Sequence, residues 1–207
     1  MSAAKAITLH KGDLPAGLDL GPVVAVDTEA LGLKPARDAL CLVQLSAGDG
    51  KSHIVQLARP AYDAPNLKRL LAAPKVLKIF HFARYDLGMI RQHLGIMAGP
   101  VYCTKIASRL SRTYTDKHSL KDLCKELLNV DLSKQQQSSD WGAPTLTDAQ
   151  LAYAASDVLY LHALKAALDH MLTREGRESL AAACFGFLPS RVMLDLAGFA
   201  EDDIFAH

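Results

Sequence analysis

The run Val23-Val-Ala-Val26 follows Gly21-Pro22 directly and passes straight into Asp27-Thr-Glu29. A short apolar stretch bounded by turn formers reads as a buried central strand. Such a strand needs secondary structure packed on both of its faces. Here it also ends in two carboxylates two residues apart, which alternation places on one face. Two acids held side by side repel each other unless a cation lies between them. Hard divalent cations such as Mg²⁺ seek oxygen donors of this kind. A surface turn with two solvated acids is the plainer alternative.

Leu40-Cys-Leu-Val-Gln-Leu45 and His53-Ile-Val-Gln-Leu57 are β-rich and flank the turn former Gly48-Asp-Gly50, which predicts a hairpin. Val76 to Phe80 reads as a fourth strand. Helical periodicity then takes over. Asn66 to Ala73 carries Leu67, Leu70 and Leu71 on one face, and Tyr85 to Leu94 is closed by Gly95. Ser119 suits the cap of a helix bearing Leu120, Leu123, Leu127 and Leu128. Thr147 suits the cap of a long helix running to about Met171, and a last helix spans Glu175 to about Phe185. Strands first, then strands mixed with helices, predict an α/β domain with a mixed β-sheet. With 207 residues, 50% of them hydrophobic, and no convincing linker, the expectation is a single domain over 1–207.

The 23 basic and 22 acidic residues leave a net charge of +1. A protein gripping long nucleic acid through its phosphates would carry more basic charge. The balance favours a substrate held in a small site, with metal ions meeting much of the phosphate charge. The four cysteines, Cys41, Cys103, Cys124 and Cys184, are scattered and form no CxxC pair, so buried free thiols in a reducing compartment are expected. Met1 to Lys11 has no apolar run of signal-peptide type. No stretch reads as the roughly 20 apolar residues of a membrane span. The expected location is cytoplasmic, with no membrane partner.

Two more segments carry chemistry. Asp86 lies in His81-Phe-Ala-Arg-Tyr-Asp-Leu87, just past the fourth strand and on the first turn of a helix. An acid there also complements the helix dipole. In Tyr153-Ala-Ala-Ser-Asp157, the phenol and the carboxylate stand at i and i+4 and share a helix face. Each segment alone has a mundane reading, a capping acid in one case and a core tyrosine in the other. All three in this order make a stronger signal.

The set Asp27/Glu29, Asp86 and Tyr153-x-x-x-Asp157 resembles the exonuclease motifs of the DEDD superfamily, in the variant with tyrosine in the last motif. The surrounding text is similar to ribonuclease D, notably Val24-Ala-Val-Asp-Thr-Glu29, Ser119-Leu-Lys-Asp-Leu123, Ser139-Asp-Trp141 and Gln150 to Val158. Ribonuclease D proteins continue into helical domains of the HRDC type, whereas this chain ends at His207. Its shortness, with His10-Lys-Gly-Asp-Leu14 and Asp203-Ile-Phe-Ala-His207, resembles the nanoRNase C branch, which degrades very short RNA.

The resemblance implies a ribonuclease H-like mixed sheet flanked by helices. It implies two divalent cations, Mg²⁺ or Mn²⁺, on Asp27, Glu29, Asp86 and Asp157. Tyr153 would orient the attacking water, since an unperturbed phenol has a pKa near 10. The product would be a nucleoside 5′-monophosphate, and the assembly a homo-oligomer, a ring-like octamer in that branch. The apolar tail around Phe185 to Leu188, Leu194 and Phe199 suits either an interface or the chain's own core.

Candidate substrate contacts are Leu31, as a wedge between bases or a core residue, and His81 and Arg84 beside the second motif. Lys134 and Gln137 lie in the loop before the last motif, and Trp141 suits either a stacking platform or a buried anchor. His118 and His162 are left out of catalysis, because Tyr153 takes the place of the catalytic histidine of related enzymes. Short RNA, above all dinucleotides, is the substrate that the resemblance implies. Trimming of longer RNA or DNA, DNA proofreading, and a silent nucleic-acid-binding module remain the competing expectations.

Overall fold

The computed structural model describes residues 6–133, 135–136 and 138–207. Its frame is a six-stranded sheet in the order β1-β4-β3-β2-β5-β6. The strands are β1 (Ala6–Lys11), β2 (Val23–Ala30), β3 (Leu40–Ser46), β4 (Lys51–Gln56), β5 (Leu77–Phe80) and β6 (Val101–Cys103). β2 runs antiparallel to β3 and parallel to β5, so the sheet is mixed and β2 lies inside it. β3 and β4 form the expected antiparallel hairpin.

The helices are α1 (Pro65–Ala72), α2 (Ala83–Leu94), α3 (Thr104–Ser111), α4 (Leu120–Leu128), α5 (Asp148–Leu159), α6 (Leu161–Arg174) and α7 (Glu178–Leu194). They cover both faces of the sheet, as the apolar β2 requires. Val24 and Val26 point into a core shared with Leu67, Leu71, Leu87, Ile90 and Val192 of α1, α2 and α7. Ala25 points the other way, onto Leu161, Leu164 and Leu168 of α6. This is the α/β, ribonuclease H-like arrangement that the strand pattern and the resemblance lead one to expect.

Several expectations need correction. β1, β6 and α3 were not expected. β1 is an edge strand with exposed and half-buried residues, and β6 has three residues, so neither carries a distinct pattern. The long helix after Thr147 is two helices, broken at Tyr160 (φ −105°, ψ −6°) with no Gly or Pro to mark it. The last helix starts later and runs further, to Leu194, with Pro189 inside it. With the π-helical turn Asp195–Phe199 it makes one stretch, Glu178–Phe199, long and apolar enough by length and composition to cross a membrane. The interspersed Arg191 and Asp195 hide that stretch in the sequence. In the fold, Ala181, Leu188 and Val192 bury against the sheet domain, while Leu180, Phe187 and Met193 stay exposed. The cysteines are free as expected, with Cys41, Cys103 and Cys124 buried.

Helix starts determine where the site residues stand. Ser119 caps α4 by accepting from the Asp122 N–H. Thr147 caps α5 in a full capping box, accepting from the Gln150 N–H at 3.2 Å while the Gln150 side chain returns to the Thr147 N–H at 2.9 Å. Gln150 also donates to the Asp140 carbonyl at 3.1 Å, tying the preceding loop to the helix. Thr147→Ala removes the cap and is expected to destabilise the fold by about 1 kcal/mol. That corresponds to a melting temperature lower by about 2–4 °C. Thr147→Ser should restore it in the same thermal melt, and an unchanged melt for the alanine variant would mean that packing alone holds α5.

Candidate active site

β2 ends at the sheet's upper edge with Asp27 and Glu29 on the face that Ala25 shares with α6. They stand opposite Gln44 and Leu42 of β3 in the antiparallel register. Thr28 points to the other face and meets α2, where its hydroxyl donates to Asp86 Oδ1 at 2.6 Å. Asp86 therefore arrives from the α2 layer, and Asp157 and Tyr153 arrive from α5 on the opposite layer. One ligand atom each from Asp27, Glu29 and Asp157 lie within 4.8 Å of one another. Asp86 lies outside that group but adds its charge to Asp27.

The electrostatics follow from burial and like charge. Burial raises the Asp27 carboxyl well above its ordinary range, and the charges of Asp86, Asp157 and Glu29 raise it further. Burial, then Asp157 and Asp86, push Glu29 up to about 9. Asp86 is raised by burial to about 7, held back by its bond from Thr28. Asp157 is raised by burial to about 7, held back by a hydrogen bond from the Tyr153 hydroxyl. Among the described residues no salt bridge reaches any of these acids. A set of hard oxygen donors that raise one another's pKa, with no basic partner, fits Mg²⁺ or Mn²⁺.

The acids floor a cavity of about 710 Å³. Leu31, placed just beyond a bulge at Glu29/Ala30, is 52% exposed and borders it, which removes the core-packing alternative. Its segment is held by the Tyr85 hydroxyl, which donates to the Gly32 carbonyl at 2.8 Å. Gly142 comes so close to Leu31 that a Cβ there would lie 2.9 Å from Leu31 Cδ2. His81 lines the cavity and shares a 2.9 Å hydrogen bond with Thr104 through Nδ1. Burial, then the Lys105 charge, lower its pKa to about 3, so it is neutral.

Two expected contacts are corrected. Arg84 does not line the cavity: its guanidinium makes a two-pronged pair with Asp195 at 2.6 and 2.7 Å and donates to the Ala200 carbonyl. It fastens α2 to the end of α7. Trp141 sits at the cavity edge but is only 2% exposed, with its ring 5.9 Å from that of Tyr153. It anchors the loop behind Tyr153, and no base can stack on its face in this arrangement. Lys134 and Gln137 lie outside the described residues. His118 bonds Ser108 and His162 bonds the Val23 carbonyl, so both hold the scaffold. Sequence reasoning missed Leu33, Phe82, Lys105 and Lys121, which also line the cavity. Phe82 lay within the second motif and Lys121 within the ribonuclease D-like segment Ser119-Leu-Lys-Asp-Leu123, whereas Leu33 and Lys105 come from segments with no chemical pattern.

This fold and this acid-floored cavity define an α/β protein with a carboxylate-rich site suited to divalent cations. A family described as 3′-5′ exonuclease matches residues 13–173, and the chain belongs to that family, in its DEDD, ribonuclease D-like division. Ribonuclease D of Gluconacetobacter diazotrophicus is 35% identical over 181 residues, 87% of this chain. The chain spans only 44% of that protein's length. Likeness over full length is found instead with NrnC of Brucella melitensis, in a structure bound to pGG: 55% identity, 99% of this chain, 100% of that one and a TM-score of 0.95. The same nuclease with bound Mg²⁺ superposes with a TM-score of 0.93 at 54% identity, covering 98% of this chain and 99% of that one. Escherichia coli RNase D gives 0.71 at 25% identity, covering 83% of this chain and 45% of its own.

A carboxyl with a raised pKa keeps its proton in the folded protein at pH values where the unfolded chain has lost it. The raised values at about 7 and about 9 therefore make the cation-free fold lose stability as pH rises from 5 to 9. In EDTA, melting at pH 8 is expected below melting at pH 6. Added Mg²⁺ or Mn²⁺ should raise the melting temperature more at pH 8 than at pH 6. Asp27→Asn should raise melting in EDTA and abolish most of the cation increment. A cation increment untouched by that variant would remove these acids as the ligands.

Proposed function

We propose that this chain is a 3′→5′ exoribonuclease of short RNA, dinucleotides above all, yielding nucleoside 5′-monophosphates. The observation that carries it is the convergence of Asp27, Glu29, Asp157, Asp86 and Tyr153 on the floor of one cavity. Likeness to a nuclease bound to pGG supports a substrate of that size. The cavity volume of about 710 Å³ suits a small ligand, within the roughly 300–1,000 Å³ usual for such sites. Asp27, Glu29 and Asp157 would hold one divalent cation, and Asp86, with Asp27, would help hold a second. Bound there, such cations supply the positive charge that the transferring phosphoryl group needs.

The chain's own groups complete the site. Burial, then the charges of Asp157, Glu29 and Asp27, push the Tyr153 phenol above its ordinary value. Without cations it keeps its proton at neutral pH, which suits Tyr153 to orienting the attacking water by hydrogen bonding. Trp141 holds the Tyr153 ring from behind. Leu31 stands at the cavity wall, where an aliphatic wedge can separate the last two bases. The chain works as one exonuclease domain in the cytoplasm, which the free cysteines suit. It acts as a homo-oligomer, for which exposed Leu180, Phe187, Met193, Phe199 and Phe205 supply apolar surface.

The test is hydrolysis of 5′-labelled RNAs, from dinucleotides to long oligomers, with Mg²⁺ or Mn²⁺. Dinucleotides should be cleaved far faster than the rest, and Asp27→Asn and EDTA should each abolish cleavage. Tyr153→Phe should lower kcat by about 100-fold with KM little changed. Stepwise shortening of long RNA at similar rates would replace the dinucleotide reading with general trimming. No cleavage of any length would leave a binding module.

A further inference from the structure

Phe82 is an ill-suited residue for its position by every local criterion. It sits in the left-handed region at φ 66°, ψ 46°, where a bulky side chain costs about 1–2 kcal/mol. It is the N-cap of α2 and offers no side-chain cap hydrogen bond. It is also 45% exposed, so its ring contributes little to the core. Asn would suit the left-handed backbone and the exposure better. Among the described residues, the non-glycine positions with positive φ are Tyr62, Phe82 and Asn129, and of these Phe82 alone lines the acid-floored cavity. Strain of this kind persists where the surroundings and the task require it.

The ring is also held. Lys105 Nζ, from the first turn of α3, stands 4.2 Å from the ring centroid. That is the geometry of a cation–π contact. Lys105 lines the same cavity, opposite in charge to its acidic floor. An aromatic ring at a cavity wall, backed by a cation and four residues before Asp86, presents a flat apolar surface beside the place where phosphate must lie. Bases stack on such rings irrespective of their hydrogen-bonding edges.

We propose that Phe82 is the base-stacking platform of this site, with Lys105 fixing its ring, and that this pair determines how tightly a short RNA is held. The inference rests on the short-RNA reading for its ligand and not for its test. A pGG analogue with a methylene in place of the bridging 3′ oxygen cannot be cleaved, so its Kd in Mg²⁺, measured by calorimetry, is independent of turnover. The probes are this analogue and its two singly abasic forms.

Phe82→Asn is expected to weaken the intact analogue by about 10-fold or more. On one of the two abasic forms the wild type and the variant should bind alike, because the base that Phe82 holds is gone. Lys105→Met should weaken the intact analogue by about 2–5-fold, with the same dependence on that base. The melting temperature of Phe82→Asn should equal or exceed the wild type's, since backbone strain is relieved. Equal Kd values for wild type and Phe82→Asn overturn the proposal, as does one uniform loss across all three probes or a wild type that binds none of them. Failure to hydrolyse unmodified pGG, with base-dependent binding through Phe82 intact, would count against the exoribonuclease reading and leave the platform standing.

Discussion

Mutual repulsion among Asp27, Glu29, Asp157 and Asp86 is the constraint around which the structure is arranged. Burial raises the pKa of each of them, and neighbouring charges add to the shift most clearly at Asp27 and Glu29. No chain would gather these groups at the end of a strand for stability. The apolar sandwich below must outweigh the repulsion. Val24, Val26 and Ala25 of β2 are fully buried on both faces, with helices on either side. The same burial that stabilises the fold strips water from the acids, and so makes them strong ligands for a hard cation.

The two helical layers contribute unequally. α5 lies against β2, β3 and β4, and its capping box and the Gln150 tie to Asp140 determine where Tyr153 and Asp157 emerge. α2 supplies Asp86 from the other side, through the Thr28 hydroxyl. Its far attachment is the Arg84–Asp195 pair, reinforced by Arg191 on the same carboxylate. An arginine two residues from Asp86 thus works as a fastener for the end of α7. Trp141 serves similarly, as packing behind Tyr153. The residues that border the cavity with free surface, Leu31, Leu33 and Phe82, are those whose exposure the core does not explain.

Much of this was legible without coordinates. The β2 run and the hairpin follow from apolar periodicity and turn residues, because strand burial and turn geometry are local demands. The acids and Tyr153 could be picked out because their spacing, two along a strand and four along a helix, already puts each pair on one face. What stayed hidden had no local signal. β6 is too short to show a period, and the break at Tyr160 has no Gly or Pro, so docking onto the sheet decides it. Arg84 and Trp141 were read by their neighbourhood in sequence, and their partners lie far along the chain or across a loop.

By itself, then, the sequence determined the α/β class, the central strand and the five side chains that come to line one cavity, since these depend on residue type and on spacings of a few positions. Only the tertiary structure decided which layer delivers each acid, how far each pKa is raised, that Trp141 is an anchor, and that Phe82 and Lys105 meet at the cavity wall. These depend on distances between segments remote in sequence and on the exclusion of water, and neither exists until the sheet and its two helical layers have closed around β2.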